Sequence, residues 1–420
     1  MLDLFRSDNV VVRSVPASDV SRWVVTFDNY GIGHGFDRPG FGQEFLHSAG
    51  ISAVHVLGAR EDWYQYPEMA AAMASVRQAV AGADRVMTYG SSMGGYAALR
   101  FADAAGANAA LALSPQYSID PRKAPFEKRW IQDSRRIRWL PEIDGQLTCA
   151  ARPVVVFDPT AEDGRHVALI QKDIAITAIS LPYVSHPATT YLGEVGLLKP
   201  LVLQTLSGEL DGPAFNREGR LARRRSSLYI SNLAQSQPSH RQELALSLAR
   251  MSAEKAPGNP LTGVALARIL SRAGKHDQAV AEMERVTVLT RGDPNYLIHY
   301  VNALMAADRP AEALSTAREV LNAWPHMAHL HAWESAVLWA AGEYDAAVEA
   351  TMRAITLDPQ DKKYPRLLKN YRQKMAGARV QSSGPWRWIR RWSASLARAR
   401  PQSAVAARIN RLRAATRPRG

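Results

Sequence analysis

Gly90-Ser91-Ser92-Met93-Gly94 is a G-x-S-x-G segment, and the residues on either side of it decide what it can do. Val86, Met87, Thr88 and Tyr89 form a short β-prone run before it, and Gly95, Tyr96, Ala97, Ala98 and Leu99 seed a small-residue helix directly after it. A serine on such a sharp strand-to-helix turn sits at strained backbone angles. Side chains at 90 or 94 would collide with the neighbouring strand or helix, so glycine is favoured at both. The helix beginning at Met93 turns its unpaired N–H groups toward whatever Ser92 attacks. The chemistry this allows is nucleophilic attack on a carbonyl. A serine hydroxyl is a weak nucleophile until a base takes its proton, and the base needs an acid to fix its tautomer, so two more groups must come from elsewhere in the chain.

The elements that must position them follow a βαβ rhythm. Residues 9–15 can form an edge strand, and Arg22 to Phe27 (RWVVTF) reads as a buried one, ending in the glycine-rich loop from Asp28 to Gly33. Helices over about 42–49 and 67–81 alternate with strands at 51–57 and at the G-x-S-x-G segment; further strands are expected at 107–114, 152–157 and 174–184. The fold class is therefore α/β: a mostly parallel sheet with helices on both faces. Trp63 and Tyr66, in a cluster just past a strand end, are candidates to line a substrate pocket. Residues 116–147 break the rhythm with a polar insertion holding Trp130, Trp139 and seven basic side chains, a surplus that favours an anionic substrate.

Taken together, these residues resemble the nucleophile elbow and sheet of the serine α/β-hydrolase family. The resemblance implies the chain order Ser, then Asp or Glu, then His. His186, in the loop after the 174–184 strand, falls where that family keeps its base; His166 is the other histidine of this half beyond Ser92. The acid is Asp163, several residues into the loop after the 152–157 strand, or Asp158 at that strand's end. The oxyanion would be held by the N–H of Met93 and by the loop at Asn29 and Tyr30, and 116–147 takes the place of a lid. The implied activity is that of a serine hydrolase, a carboxylesterase or deacylase, on a small-molecule or glycan ester. An acyltransferase acting on a surface polysaccharide would use the same residues, and a non-catalytic scaffold with a degenerate hydrolase half is the rival reading. No G-x-G-x-x-G opens a helix in a βαβ unit and no H-E-x-x-H occurs, so neither a nucleotide cofactor nor a metal is expected.

Beyond about Ser226 the pattern changes to a period of 34. Gly274, Asp308 and Gly342 stand one period apart; so do Ala279, Ala313 and Ala347, and Ala267, Val301 and Ser335. Small residues at these spacings, with Pro325 and Pro359 closing units, resemble the tetratricopeptide repeat, which implies paired helices whose stack binds a protein partner. Units are expected at 260–293, 294–327 and 328–361, with a degenerate one at 226–259 and a capping helix at 362–375. The expected domains are thus 1–210 catalytic, 211–225 a polar linker, 226–375 repeats and 376–420 a basic tail.

The 420 residues carry a net charge of +13, but eleven arginines and no acidic residue lie from Arg379 onward. The high charge therefore belongs to a tail, which argues against a nucleic-acid-binding protein. Trp386, Trp388 and Trp392 interleave with arginines there, the pattern of a helix lying on an anionic membrane surface. The lone Cys149 reads as a small core residue. With no secretory signal pattern and no apolar run long enough to span a bilayer, the expected location is cytoplasmic, with peripheral contact at the inner face of the membrane through the tail.

Overall fold

The computed structural model describes residues 2–31, 35–359 and 361–381. The tail at 382–420, with its tryptophans and arginines, and residues 32–34 of the glycine-rich loop lie outside the described residues. The described chain divides into two compact units, Met1–Asn232 and Leu233 onward.

The first unit is built on one eight-stranded sheet: β1 (Leu2–Arg6), β2 (Val10–Val15), β3 (Arg22–Phe27), β4 (Ser52–Gly58), β5 (Arg85–Ser91), β6 (Ala109–Leu113), β7 (Val154–Phe157) and β8 (Thr177–Ser180). Their order across the sheet is β1-β2-β4-β3-β5-β6-β7-β8. Only the β1–β2 and β2–β4 pairs are antiparallel. The central strands are near-continuous apolar runs because helices bury both sides of them. The helices between strands are α1 (Gln43–Ser48), α2 (Met69–Ala79), α3 (Met93–Arg100), α4 (Ile131–Arg136) and α5 (Glu162–Asp173), and α6 (Ala188–Glu194) and α7 (Leu198–Ser207) follow β8.

Three expectations change here. The strand at 10–15 is not an edge, because β1 covers it. The strand expected at 174–184 is only four residues long. The segment 211–225, expected to be a polar linker, is α8 (Gly212–Ala222) followed by a 3-10 turn, and it belongs to the first unit. Asp211 caps this helix by accepting from the Ala214 N–H, and Phe215, Gly219 and Ala222 form its buried stripe against β8. The stripe is hard to see among five arginines.

Division between the units falls inside α9 (Ser227–Gln235). The second unit continues with α10 (Gln242–Lys255) and three helix pairs: α11 (Pro260–Arg272) with α12 (His276–Leu289), α13 (Pro294–Ala306) with α14 (Pro310–Ala323), and α15 (Ala328–Ala340) with α16 (Tyr344–Leu357). The last helix is α17 (Lys363–Gln381), whose Tyr371 stacks on Trp339 with ring centroids 4.1 Å apart. Ala279, Ala313 and Ala347 are fully buried, as small residues must be where paired helices touch. Gly274, Asp308 and Gly342 all have positive φ, at 70°, 56° and 84°, in the turn between the helices of each pair. Aspartate is among the few residues that tolerate this conformation, which is why it can stand where the flanking units have glycine.

Candidate active site

Ser92 stands between β5 and α3 at φ 55° and ψ −117°. The turn is this tight because two glycines permit it: a Cβ at Gly90 would strike the Gly94 carbonyl, and one at Gly94 would strike the carbonyls of Phe27 and Asp28. The second contact places the loop that leaves β3 directly beside the turn.

His186 and Asp163 converge on this serine. His186 Nε2 lies 2.9 Å from Ser92 Oγ, and His186 Nδ1 lies 2.9 and 3.0 Å from the two oxygens of Asp163. Asp163 is fully buried in the first turn of α5, where the positive end of the helix favours a carboxylate. Burial by itself would raise its carboxyl, but the His186 hydrogen bonds and the charge of Arg129 hold it below the ordinary carboxylate range. Arg129 Nη1 donates to Asp163 Oδ1 at 3.0 Å, and the same guanidinium grips Glu127. Glu127 in turn accepts from His166 Nε2 at 2.9 Å while the Tyr117 N–H donates to His166 Nδ1, so both ring nitrogens of His166 are committed away from Ser92. Burial opposes ionisation of Glu127, yet its bonds to His166 and Arg129 bring it down to about 2.

Asp158 is not beside His186 Nδ1. Its carboxylate accepts from the N–H of Thr160, Tyr183 and Ser185, which braces the loop that carries His186. Asp158 therefore positions the histidine through its backbone.

Met93, as the first residue of α3, has no intrahelical acceptor for its N–H. Asn29 turns its side-chain amide onto the Tyr30 carbonyl at 2.8 Å, and the Gly31 N–H is taken by Glu61 at 2.6 Å. Tyr30, Trp63 and Trp130 pack against one another with centroids 5.5 to 6.1 Å apart, and Trp130 meets the His186 ring at 5.4 Å. Trp63, expected to line the pocket, is instead fully buried against Tyr30 and Trp130, and Tyr66, expected there too, does not line it either. Its hydroxyl donates to the Arg60 carbonyl and its ring packs on Tyr64 in the core, so it supports the rim from beneath.

The insertion at 116–147 is fastened to the body of the unit. Leu140 N–H donates to Gln65, Arg100 donates to the Gly145 carbonyl, and Ile119, Trp130, Leu140 and Ile143 join the main core. Much of its positive charge is neutralised in place: Arg122 pairs with Asp120, Lys123 with Asp144, Arg129 with Glu127 and Asp163, and Arg136 with Asp133. This weakens the argument for an anionic substrate. Gln116, Arg129 and Trp130, all from this insertion, reach the site; no spacing or motif in the sequence marks them.

A cleft of about 650 Å³ opens beside His186, lined by Arg129, Pro159, Thr160, Glu162, Arg165 and Ser185. Among the described residues no group of three or more His, Cys, Asp or Glu is placed to hold a metal, and no helix is long and apolar enough to cross a membrane. Burial pushes the Cys149 thiol up to about 12.

The tetratricopeptide repeat family matches residues 260–285, within the first helix pair of the second unit. No curated protein matches the chain. Among solved structures, MamA from Desulfovibrio magneticus RS-1 is similar at 19% identity, covering 37% of this chain and 90% of its own, with a TM-score of 0.29. YrrB, a tetratricopeptide protein with an unusual peptide-binding site, is similar at 15% identity over 43% of this chain and 90% of its own, with a TM-score of 0.32. The capsule O-acetyltransferase of Neisseria meningitidis serogroup A is similar at 12% identity over 47% and 93%, with a TM-score of 0.34. The second unit is thus an all-helical array of paired helices in which residues 260–285 match the tetratricopeptide repeat, a protein-interaction architecture.

Proposed function

We propose that the first unit is a serine hydrolase that cleaves esters, and that the repeats dock it to a protein partner. The observation that carries this reading is the unbroken hydrogen-bonded line Ser92–His186–Asp163 at the carboxyl edge of a mostly parallel sheet. Ser92 Oγ attacks the ester carbonyl while His186 Nε2 takes its proton, and Asp163 holds the imidazole in the matching tautomer and balances the charge it gains. The carbonyl π pair moves to oxygen, where N–H groups of Met93 and of the Asn29–Tyr30 loop receive it. His186 then returns the proton to the departing alcohol, and water releases the acyl group by the same steps in reverse roles. The polar cleft beside His186 suits an alcohol such as a sugar hydroxyl.

The test is labelling by a fluorescent fluorophosphonate, with p-nitrophenyl acetate hydrolysis as the turnover assay. Wild type is expected to label and Ser92→Ala to be silent, with His186→Ala reduced by about 10⁴-fold or more in hydrolysis. A well-folded wild type that neither labels nor hydrolyses the ester would leave the repeats as the seat of function.

A further inference from the structure

Trp63 and Gln116 stand behind Ser92 with a geometry the hydrolase steps above leave unused. Both are buried, at 0% and 1% exposure. Trp63 Nε1 lies 3.2 Å from Gln116 Oε1, and Gln116 Nε2 lies 3.2 Å from Ser92 Oγ. An indole N–H can only donate, so it must face the amide oxygen, and the amide nitrogen is left facing the serine. The carbonyl of Ser114, 3.4 Å from the same nitrogen, requires the same orientation because it can only accept.

We infer that Gln116 sets the direction of the proton on Ser92. Its N–H occupies a lone pair of Oγ, so the hydroxyl hydrogen has His186 Nε2 as its acceptor. His186 must then carry its own proton on Nδ1, facing Asp163. One directed chain results, from the Trp63 N–H through Gln116, Ser92 and His186 to Asp163, and each link polarises the next. Trp63 is the positioning residue that locks the amide.

The catalytic consequence rests on the hydrolase reading. During attack the Oγ–C bond forms and the Oγ proton passes to His186. When the acyl group leaves, that bond breaks, the electron pair returns to Oγ and His186 gives the proton back. Gln116 donates to the atom that gains and loses charge in both events while keeping its own protons.

The experiment compares wild type, Gln116→Met, Gln116→Glu and the double variant Trp63→Phe/Gln116→Met. The double variant removes both buried partners, so no unpaired indole N–H is left to unfold the site. Two readouts are taken: the rate of fluorophosphonate inactivation, and the His186 tautomer from its imidazole ¹⁵N shifts. The rate is expected to fall roughly 10- to 100-fold in Gln116→Met and in the double variant. Gln116→Glu, which offers Ser92 a competing acceptor, is expected to fall further. The tautomer is expected to move from Nδ1–H toward a mixture. Wild-type rate and an unchanged tautomer in Gln116→Met and the double variant overturn the proposal. A wild type that the probe leaves unlabelled removes the hydrolase reading instead, and the tautomer then decides alone: a shift in the variants upholds the orientation, none overturns it.

Discussion

Left-handed backbone at non-glycine residues occurs in both units, and its placement differs. In the first unit Trp63, Tyr64, Ser92, Ser114, Tyr183 and Ser185 have positive φ, and all six lie just past the carboxyl ends of strands, around the serine. Each costs on the order of 1 kcal/mol. In the repeats the positive-φ positions between paired helices recur with the period of the sequence, at Gly274, Asp308 and Gly342, and serve only to turn the chain. Strain at the rim is specific to a task, whereas in the array it is a geometric requirement that glycine meets most cheaply.

Breaking the rim is expected to have the larger effect. Gly94→Ala forces a methyl into the backbone of Phe27 and Asp28, which cannot yield without moving β3. It is expected to cost on the order of 3 kcal/mol in chemical denaturation and to abolish probe labelling. Acid sharpens the contrast. His55, in the sheet, is buried with its Nδ1 bonded to Thr26, and burial lowers its pKa from about 6.5 to about 4. It is neutral when folded and takes a proton when unfolded, so its contribution is intact above pH 6.5 and is lost as the pH falls from there toward 4. Wild type is expected to lose roughly 2–3 kcal/mol of first-unit stability between pH 7 and 4.5, with His55→Gln flattening that slope. His299 and His329 of the array shift in the same direction but are half-buried and exposed, so its transition should move less. The smallest effects belong to the repeat turns. Open space surrounds Gly342, so Gly342→Ala is expected to cost about 1 kcal/mol through φ alone, while Asp308→Gly is expected to raise the array's melting temperature slightly.

The same contrast explains what could be read from the chain. The repeats were legible because every requirement is stated three times, so the phase of Ala279, Ala313 and Ala347 carries the fold even where Asp308 departs from glycine. Ser92, His186 and Asp163 were legible through a local pattern and a chain order. The choice of Asp163 over Asp158 was decided by partners distant in sequence: the Tyr183 and Ser185 N–H groups engage Asp158, leaving Asp163 to the imidazole. Tyr66 misled because an aromatic past a strand end can point inward, and only packing on Tyr64 and Arg60 shows that it does. Gln116 and Arg129 were invisible, since a glutamine and an arginine in a polar stretch acquire meaning only when folding brings them to Ser92 and Asp163.

Both of those residues come from the insertion that covers the serine. Arg129 holds the acid and Trp130 abuts the base, so the cover and part of the machinery are one piece of chain. On the hydrolase reading such a segment is an interlock: were it lifted to admit a bulky molecule, the aspartate would lose its guanidinium and the serine its amide at the same moment. Access and reactivity could not then be maximal together, and a nucleophile exposed by chance opening would be a disarmed one.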